Sequence, residues 1–95
     1  MTKEEAEELE LSGLEGYDVD TFKLTTILWN IKHPKALVRS VNKEEYLLEE
    51  GTKIGRNSGY VAKIREGEVI IVEPTFPNGQ RGQKLYRTQV LKLGR

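Results

Sequence analysis

Residues 51–64, GTKIGRNSGYVAKI, set Gly51, Gly55 and Gly59 at intervals of four around Lys53 and Arg56. Glycines interleaved with cations are the raw material of a phosphate cradle, so this is the first stretch to weigh for chemistry. A phosphate loop needs G-x-x-x-x-G-K-[ST] between a strand and a helix, because consecutive backbone N–H groups and the helix N-terminus hold the anion. Here no Lys-Ser or Lys-Thr follows and the next segment, YVAKIR, reads as a strand; a dinucleotide fingerprint fails for the same reason. The stretch is therefore expected to turn the chain, with glycines supplying positive φ, Asn57 tolerating that region and Ser58-Gly59 completing the reversal. Other chemistry is thinly provided. There is one histidine and no cysteine, so a thiolate nucleophile, a disulfide and the usual zinc ligand sets are excluded. His33 stands before Pro34, a turn setting that suits a surface residue better than a general base. Glu44, Glu45, Glu49 and Glu50 crowd one hairpin as charged edge positions, which oppose unwanted strand pairing. No catalytic group, cofactor site or metal site is expected.

These residues must be carried by a small scaffold. Ninety-five residues have room for one hydrophobic core, and no stretch approaches the roughly 20 apolar residues of a membrane-spanning helix. The acidic start lacks the basic and apolar regions of a signal peptide, so the chain is expected to be soluble. A formal net charge of zero conceals an asymmetry. Residues 1–20 hold eight acids against Lys3, whereas residues 21–95 hold fourteen lysines and arginines against seven acids. The expected division is a flexible acidic N-terminal arm over 1–20 and a basic β domain over 21–95. TKEEAEELELSGLEG (2–16) is helix-permissive as far as Leu11, but Gly13 and Gly16 interrupt it, so it reads as a mobile arm or a marginal helix.

From Phe22 the texture becomes β. FKLTTILWNI (22–31) offers apolar groups to both faces until His33-Pro34 breaks it. ALVRSV (36–41) and YLLEE (46–50) follow as short strands. YVAKIR (60–65) sets Tyr60, Ala62 and Ile64 on one face and Val61, Lys63 and Arg65 on the other; Glu66-Gly67 then turns the chain into EVIIVEP (68–74). Pro77-Asn78-Gly79 supplies another turn before KLYRTQVLKL (84–93). About six to seven short strands with no convincing helix after residue 20 predict an all-β fold, a small β-sandwich or barrel.

GLEGYDVDTFKL (13–24), ALVRS (36–40) and YLLEEGTKIGRNSGYVAKIREGEVIIVE (46–73), in that order, resemble the periplasmic domain of the type IV pilus assembly lipoproteins of the PilP family. The most specific part is G-x-x-I-G-x-N-x-G-x-V-x-x-I ahead of an acid-flanked apolar strand. One departure is VNKEE (41–45), where the family usually carries an Asp- and Gly-rich turn. The resemblance implies a small β-sandwich on a long arm, held in the periplasm by a lipid on the inner membrane; the lipid-bearing cysteine is not in this sequence. It also implies a non-enzymatic adaptor. The arm would bind the PilN/PilO heterodimer, and the β domain would reach the N-terminal periplasmic domains of the secretin PilQ, as the related homology region of the type II secretion protein GspC meets its own secretin.

Residue types nominate contacts for such partners. Leu9, Leu11, Leu14 and Tyr17 are the apolar groups with which the arm would anchor. Ile27 and Trp29 face away from one side of the first strand, Trp29 being read either as a core aromatic, the preferred reading, or as an interface anchor. Arg39, Arg56, Lys63 and Arg65 would form a cationic face, and Lys53 and Arg56 would offer partner contacts on an exposed turn. The alternative is a nucleic-acid-binding barrel, because EGTKIGRNSGYVAKIREGEVIIVE also resembles the hairpin of SH3-like KOW domains. Against it, the aromatics do not alternate with the cations as a stacking platform does.

Overall fold

A computed structural model describes residues 13–75 and 85–94. Seven strands, β1 (Lys23–Leu28), β2 (Lys35–Arg39), β3 (Glu45–Glu49), β4 (Lys53–Ile54), β5 (Gly59–Arg65), β6 (Glu68–Thr75) and β7 (Leu85–Lys92), follow a 3-10 turn at Val19–Thr21. They form two antiparallel sheets, three strands in the order β1-β2-β3 and four in the order β4-β5-β6-β7. The expected all-β sandwich is what the chain builds. The described strands divide into two separate sheets and not one continuously hydrogen-bonded barrel.

The core lies between the sheets. Leu24, Ala36, Val38 and Leu48 face inward from the first, and Ile54, Val61, Ile64, Val69, Ile71 and Leu91 from the second. Alternation explains most of these positions, because successive side chains of a strand point to opposite faces. It fails at two places, each with a bulge. In β5 the register slips between Val61 and Lys63, so Val61 and Ile64, three residues apart, both point inward while Tyr60 is exposed. The expected grouping of Tyr60 with Ala62 and Ile64 is thus corrected: one extra residue reverses the facing of everything after it. A similar slip lies between Leu24 and Thr26 in β1.

The stretch from Gly51 to Gly59 is more than a reversal. Lys53–Ile54 pairs with β5 as the edge of the second sheet, and Ile54 is fully buried. Gly51 N–H donates to the Val61 carbonyl at 2.7 Å, and Val61 N–H to the Thr52 carbonyl at 2.8 Å. Positive φ falls at Gly51, Gly55 and Ser58, not at Asn57.

The expected boundary between residues 20 and 21 moves toward the N-terminus. Val19 is completely buried with Phe22 in the core, and Leu14 and Tyr17 pack against it; the Tyr17 and Phe22 rings meet edge to face at 6.2 Å. Gly55 N–H donates to the Leu14 carbonyl at 2.8 Å and Arg56 N–H to the Tyr17 carbonyl at 3.1 Å. Residues 13–20 therefore pack with the β domain, Val19 lying in its core and Leu14 and Tyr17 against it. β1 also ends sooner than expected, at Leu28, so Trp29 lies beyond the strand and is 43% exposed. The preferred core reading of Trp29 is overturned: the turn toward His33-Pro34 begins before the tryptophan and carries it outward.

Truncating a side chain at the sheet interface removes burial and leaves a void that backbone-paired strands fill poorly. Leu48→Ala or Ile71→Ala is expected to cost about 2–5 kcal/mol, read as a fall in the urea midpoint, whereas Leu47→Ala, on the outer face of the same strand as Leu48, should change it little.

Candidate functional site

The outer face of β1-β2-β3 exposes an apolar hollow with defined edges. Cross-strand register places Thr26 opposite Leu37 and Leu37 opposite Leu47, with Leu28 opposite Lys35. Leu28 and Leu47 are each more than half exposed. Together with Lys35 and Ala36 they line a shallow hollow of about 110 Å³. Two ion pairs bracket it on the β2–β3 side, Lys35 Nζ to Glu49 Oε2 at 2.9 Å and Arg39 Nη2 to Glu45 Oε1 at 3.0 Å. Each neutralises a charge that would otherwise resist desolvation, so the face presents leucines within a balanced polar rim, the usual layout of a protein-binding surface. Trp29 and Ile31, both exposed, follow directly on Leu28. A larger cleft of about 430 Å³ opens where the sheets part, between Asp20, Phe22 and Leu24 on one side and Gln89, Val90, Leu91 and Lys92 on the other. A third hollow, of about 200 Å³, is lined by Lys32, His33, Pro34, Glu49 and Glu50. No group of three or more His, Asp or Glu side chains among the described residues is placed to hold a metal ion.

The nominated contact residues do not gather in one place. Leu14 and Tyr17 are spent on the domain's own core, and Ile27 packs partly against it. Leu11 lies outside the described residues. Arg39 is exposed but committed to Glu45. Arg56 is tied to the N-terminal segment, its guanidinium donating to the Gly16 carbonyl at 3.1 Å and lying 3.4 Å from Asp18. Lys53 stands exposed on β4. Only Trp29 and Arg39 adjoin the leucine face, which the residue types did not nominate. Its signal was present in the alternation of Leu37 with Val38 and of Leu47 with Leu48, but which leucine faces outward required the strand register.

The sharpest electrostatic feature lies on the other sheet. Glu73 in β6 is fully buried, and its Oε1 accepts from Arg87 Nη2 at 2.9 Å and from the Gln89 amide, both on β7. Burial pushes this carboxyl up. The hydrogen bonds from Arg87, Gln89 and the Asn57 amide group, with the charge of Arg87, outweigh it and hold the pKa below its ordinary 4.5. The Arg87 side chain is 55% exposed, so the pair sits one layer beneath solvent. The glycine turn closes over it. A Cβ on Gly59 would stand 2.8 Å from both Glu73 Cγ and the Ile54 carbonyl, and one on Gly55 would meet Val19 Cγ2 at 2.6 Å. Tyr46, by contrast, is pushed up to about 12, chiefly because its hydroxyl donates to Glu44 at 2.5 Å.

An apolar face framed by compensated charges, on a small two-sheet sandwich, has the layout that protein-interaction modules present. The comparisons with known proteins say which kind. The family model for PilP, described as "Pilus assembly protein, PilP", matches residues 4–93, and the chain belongs to that family. A curated relative, the type IV pilus inner membrane component PilP of Pseudomonas aeruginosa PAO1, is 34% identical over 80 residues, which is 84% of this chain and 44% of the relative. The chain thus spans less than half the length of that protein. The solution structure of PilP from P. aeruginosa superposes with a TM-score of 0.72 at 30% identity, covering 87% of this chain and 72% of that one. A domain of the type IV pilus biogenesis lipoprotein PilP from the same organism gives 0.71 at 33%, covering 85% and 90%.

Two outcomes test the Glu73 arrangement. Gly59→Ala should cost about 1–3 kcal/mol, because backbone occupies the space a methyl needs; the urea midpoint measures it. Glu73→Gln should lower stability at pH 7 by about 1–2 kcal/mol. A carboxyl whose folded pKa is depressed stabilises fully above its unfolded value and loses that stabilisation as pH falls through the folded one. The gap between wild type and Glu73→Gln is therefore expected to persist from neutrality to about pH 4.5 and to close below it, as urea titrations at stepped pH would read.

Proposed function

We propose that this chain is the secretin-facing domain of a non-enzymatic type IV pilus adaptor, linking the PilN/PilO inner-membrane platform to the outer-membrane secretin PilQ from a lipid-tethered position in the periplasm. The observation that carries the reading is the family match across residues 4–93, on a fold whose exposed sheet face is apolar. A P. aeruginosa relative bears the names inner membrane component and lipoprotein, in keeping with the tether.

Roles divide by position. The outer face of β1-β2-β3, with Leu28, Leu37 and Leu47 and with Trp29 and Arg39 beside it, is assigned to the secretin's N-terminal domains. Its leucines supply the buried centre, while the Lys35–Glu49 and Arg39–Glu45 pairs form a rim that costs little to approach. Residues 1–12, with Leu9 and Leu11, are assigned to PilN/PilO. Leu14 and Tyr17 drop out of that assignment because withdrawing them would expose the domain's own core. The domain's excess of cations remains available to steer acidic surfaces, an effect on association rate more than on final affinity.

Leu47→Glu should weaken capture of the purified PilQ N-terminal domains by at least about tenfold, since it sets an unpaired charge in the centre of the contact, while the urea midpoint stays within about 0.5 kcal/mol of wild type. Removing residues 1–12 is expected to abolish capture of PilN/PilO and leave PilQ binding intact. Binding to neither partner at tens of micromolar by the full chain would refute the reading, and strong, salt-sensitive binding to single-stranded RNA would favour the nucleic-acid alternative.

A further inference from the structure

We propose that the N-terminal segment 14–19, the β4–β5 glycine turn and the edge strand β7 form one cooperative unit joined through the Glu73 carboxylate. A load or a partner acting on the segment thereby changes the order of β7.

The contacts form a ring around the open end of the sandwich. The segment lies on the turn through the Gly55-to-Leu14 and Arg56-to-Tyr17 backbone hydrogen bonds, and the Arg56 side chain clasps Gly16 and Asp18. Val19 reaches the turn so closely that only glycine fits at position 55. Beneath the turn lies Glu73, touching the space above Gly59 with its Cγ and Gly55 with its Oε2. Glu73 in turn holds Arg87 and Gln89 of β7, and the 3-10 turn at Val19–Thr21 packs back against β7.

Two features make this ring a coupling device. The first is electrostatic. Glu73 Oε2 is buried and accepts no hydrogen bond of full geometry among the described residues, so the carboxylate depends on Arg87 and Gln89 at its other oxygen, on the nearby Asn57 amide of the turn and on a turn that keeps water out. If the segment lifts, the turn loses two backbone hydrogen bonds and its lid contact with Val19; water then reaches Oε2, and the advantage of gripping Arg87 and Gln89 falls as the local dielectric rises. The second is topological. Among the described strands β7 is the edge of its sheet, laddered on β6 alone, and Glu73 adds side-chain bonds to it at Arg87 and Gln89. Glu73 is in this sense a positioning residue.

The coupling stands on these contacts and not on the adaptor reading, so the two can fail separately. Amide hydrogen exchange on the full 95-residue chain tests it without partners. In Arg56→Ala, an exposed change that loosens only the segment, amides of residues 14–19 and 55–59 should exchange faster, and those of 87–91 about tenfold faster as well, with β1-β2-β3 unchanged. Glu73→Gln should produce the same distribution from the other side of the ring; if it does not fold, Arg56→Ala decides alone. Faster exchange confined to 14–19 and 55–59 in Arg56→Ala overturns the proposal, as does a uniform acceleration through both sheets.

Discussion

The arrangement of the second sheet depends on one buried negative charge. Glu73 occupies a strand position where a sandwich ordinarily places an aliphatic side chain, between Ile71 and the end of β6, and it is inaccessible to solvent. Such a group is tolerated only if it is paired and bonded on the spot. Arg87 and Gln89 meet that requirement from β7, which fixes the neighbouring strand, while the turn must pass close enough above to seal the carboxylate. That closeness excludes any side chain at Gly59 and, through Val19, at Gly55. The glycines that resembled a ligand loop are there because a carboxylate and a valine lie against them.

The two sheets thus divide the work. The second holds the charge, the bulged strand β5 and the seat of the N-terminal segment. The first has a regular β2–β3 ladder and a bulge in β1; its inward residues contribute to the core and its outward residues offer leucines between two ion pairs. The proposed partner surface on the first sheet lies on a three-strand antiparallel ladder, away from the Glu73 carboxylate. The proposed binding face and the proposed coupling thus fall on opposite layers of one small core.

Much of the fold was legible in the residues. Runs rich in Val, Ile and Thr, broken by His33-Pro34, Gly51 and Glu66-Gly67, marked six of the seven strands, the first running three residues too long, because apolar alternation and turn chemistry are local properties; the short β4 was hidden in a stretch read as a turn. The ordered stretches from Gly13 to Glu73 carried the family. Less legible were the leucine face and the end-capping role of residues 14–19. In YLLEE two adjacent leucines are equivalent by type, and GLEGYDV has too few apolar groups to declare itself part of a core.

By itself, then, the sequence determined the all-β class, the want of catalytic thiols and histidine clusters, the strand segments apart from β4, and the family. Tertiary structure alone decided that Trp29 leaves the core, that Val61 and Ile64 share a face across a bulge, that Leu47 points out while Leu48 points in, and that Leu14, Tyr17 and Val19 close the sandwich. The reason is common to all four. Each is set by which strand lies alongside and in what register, and a one-residue slip at a bulge or an unfilled sheet end reassigns a side chain without changing its type.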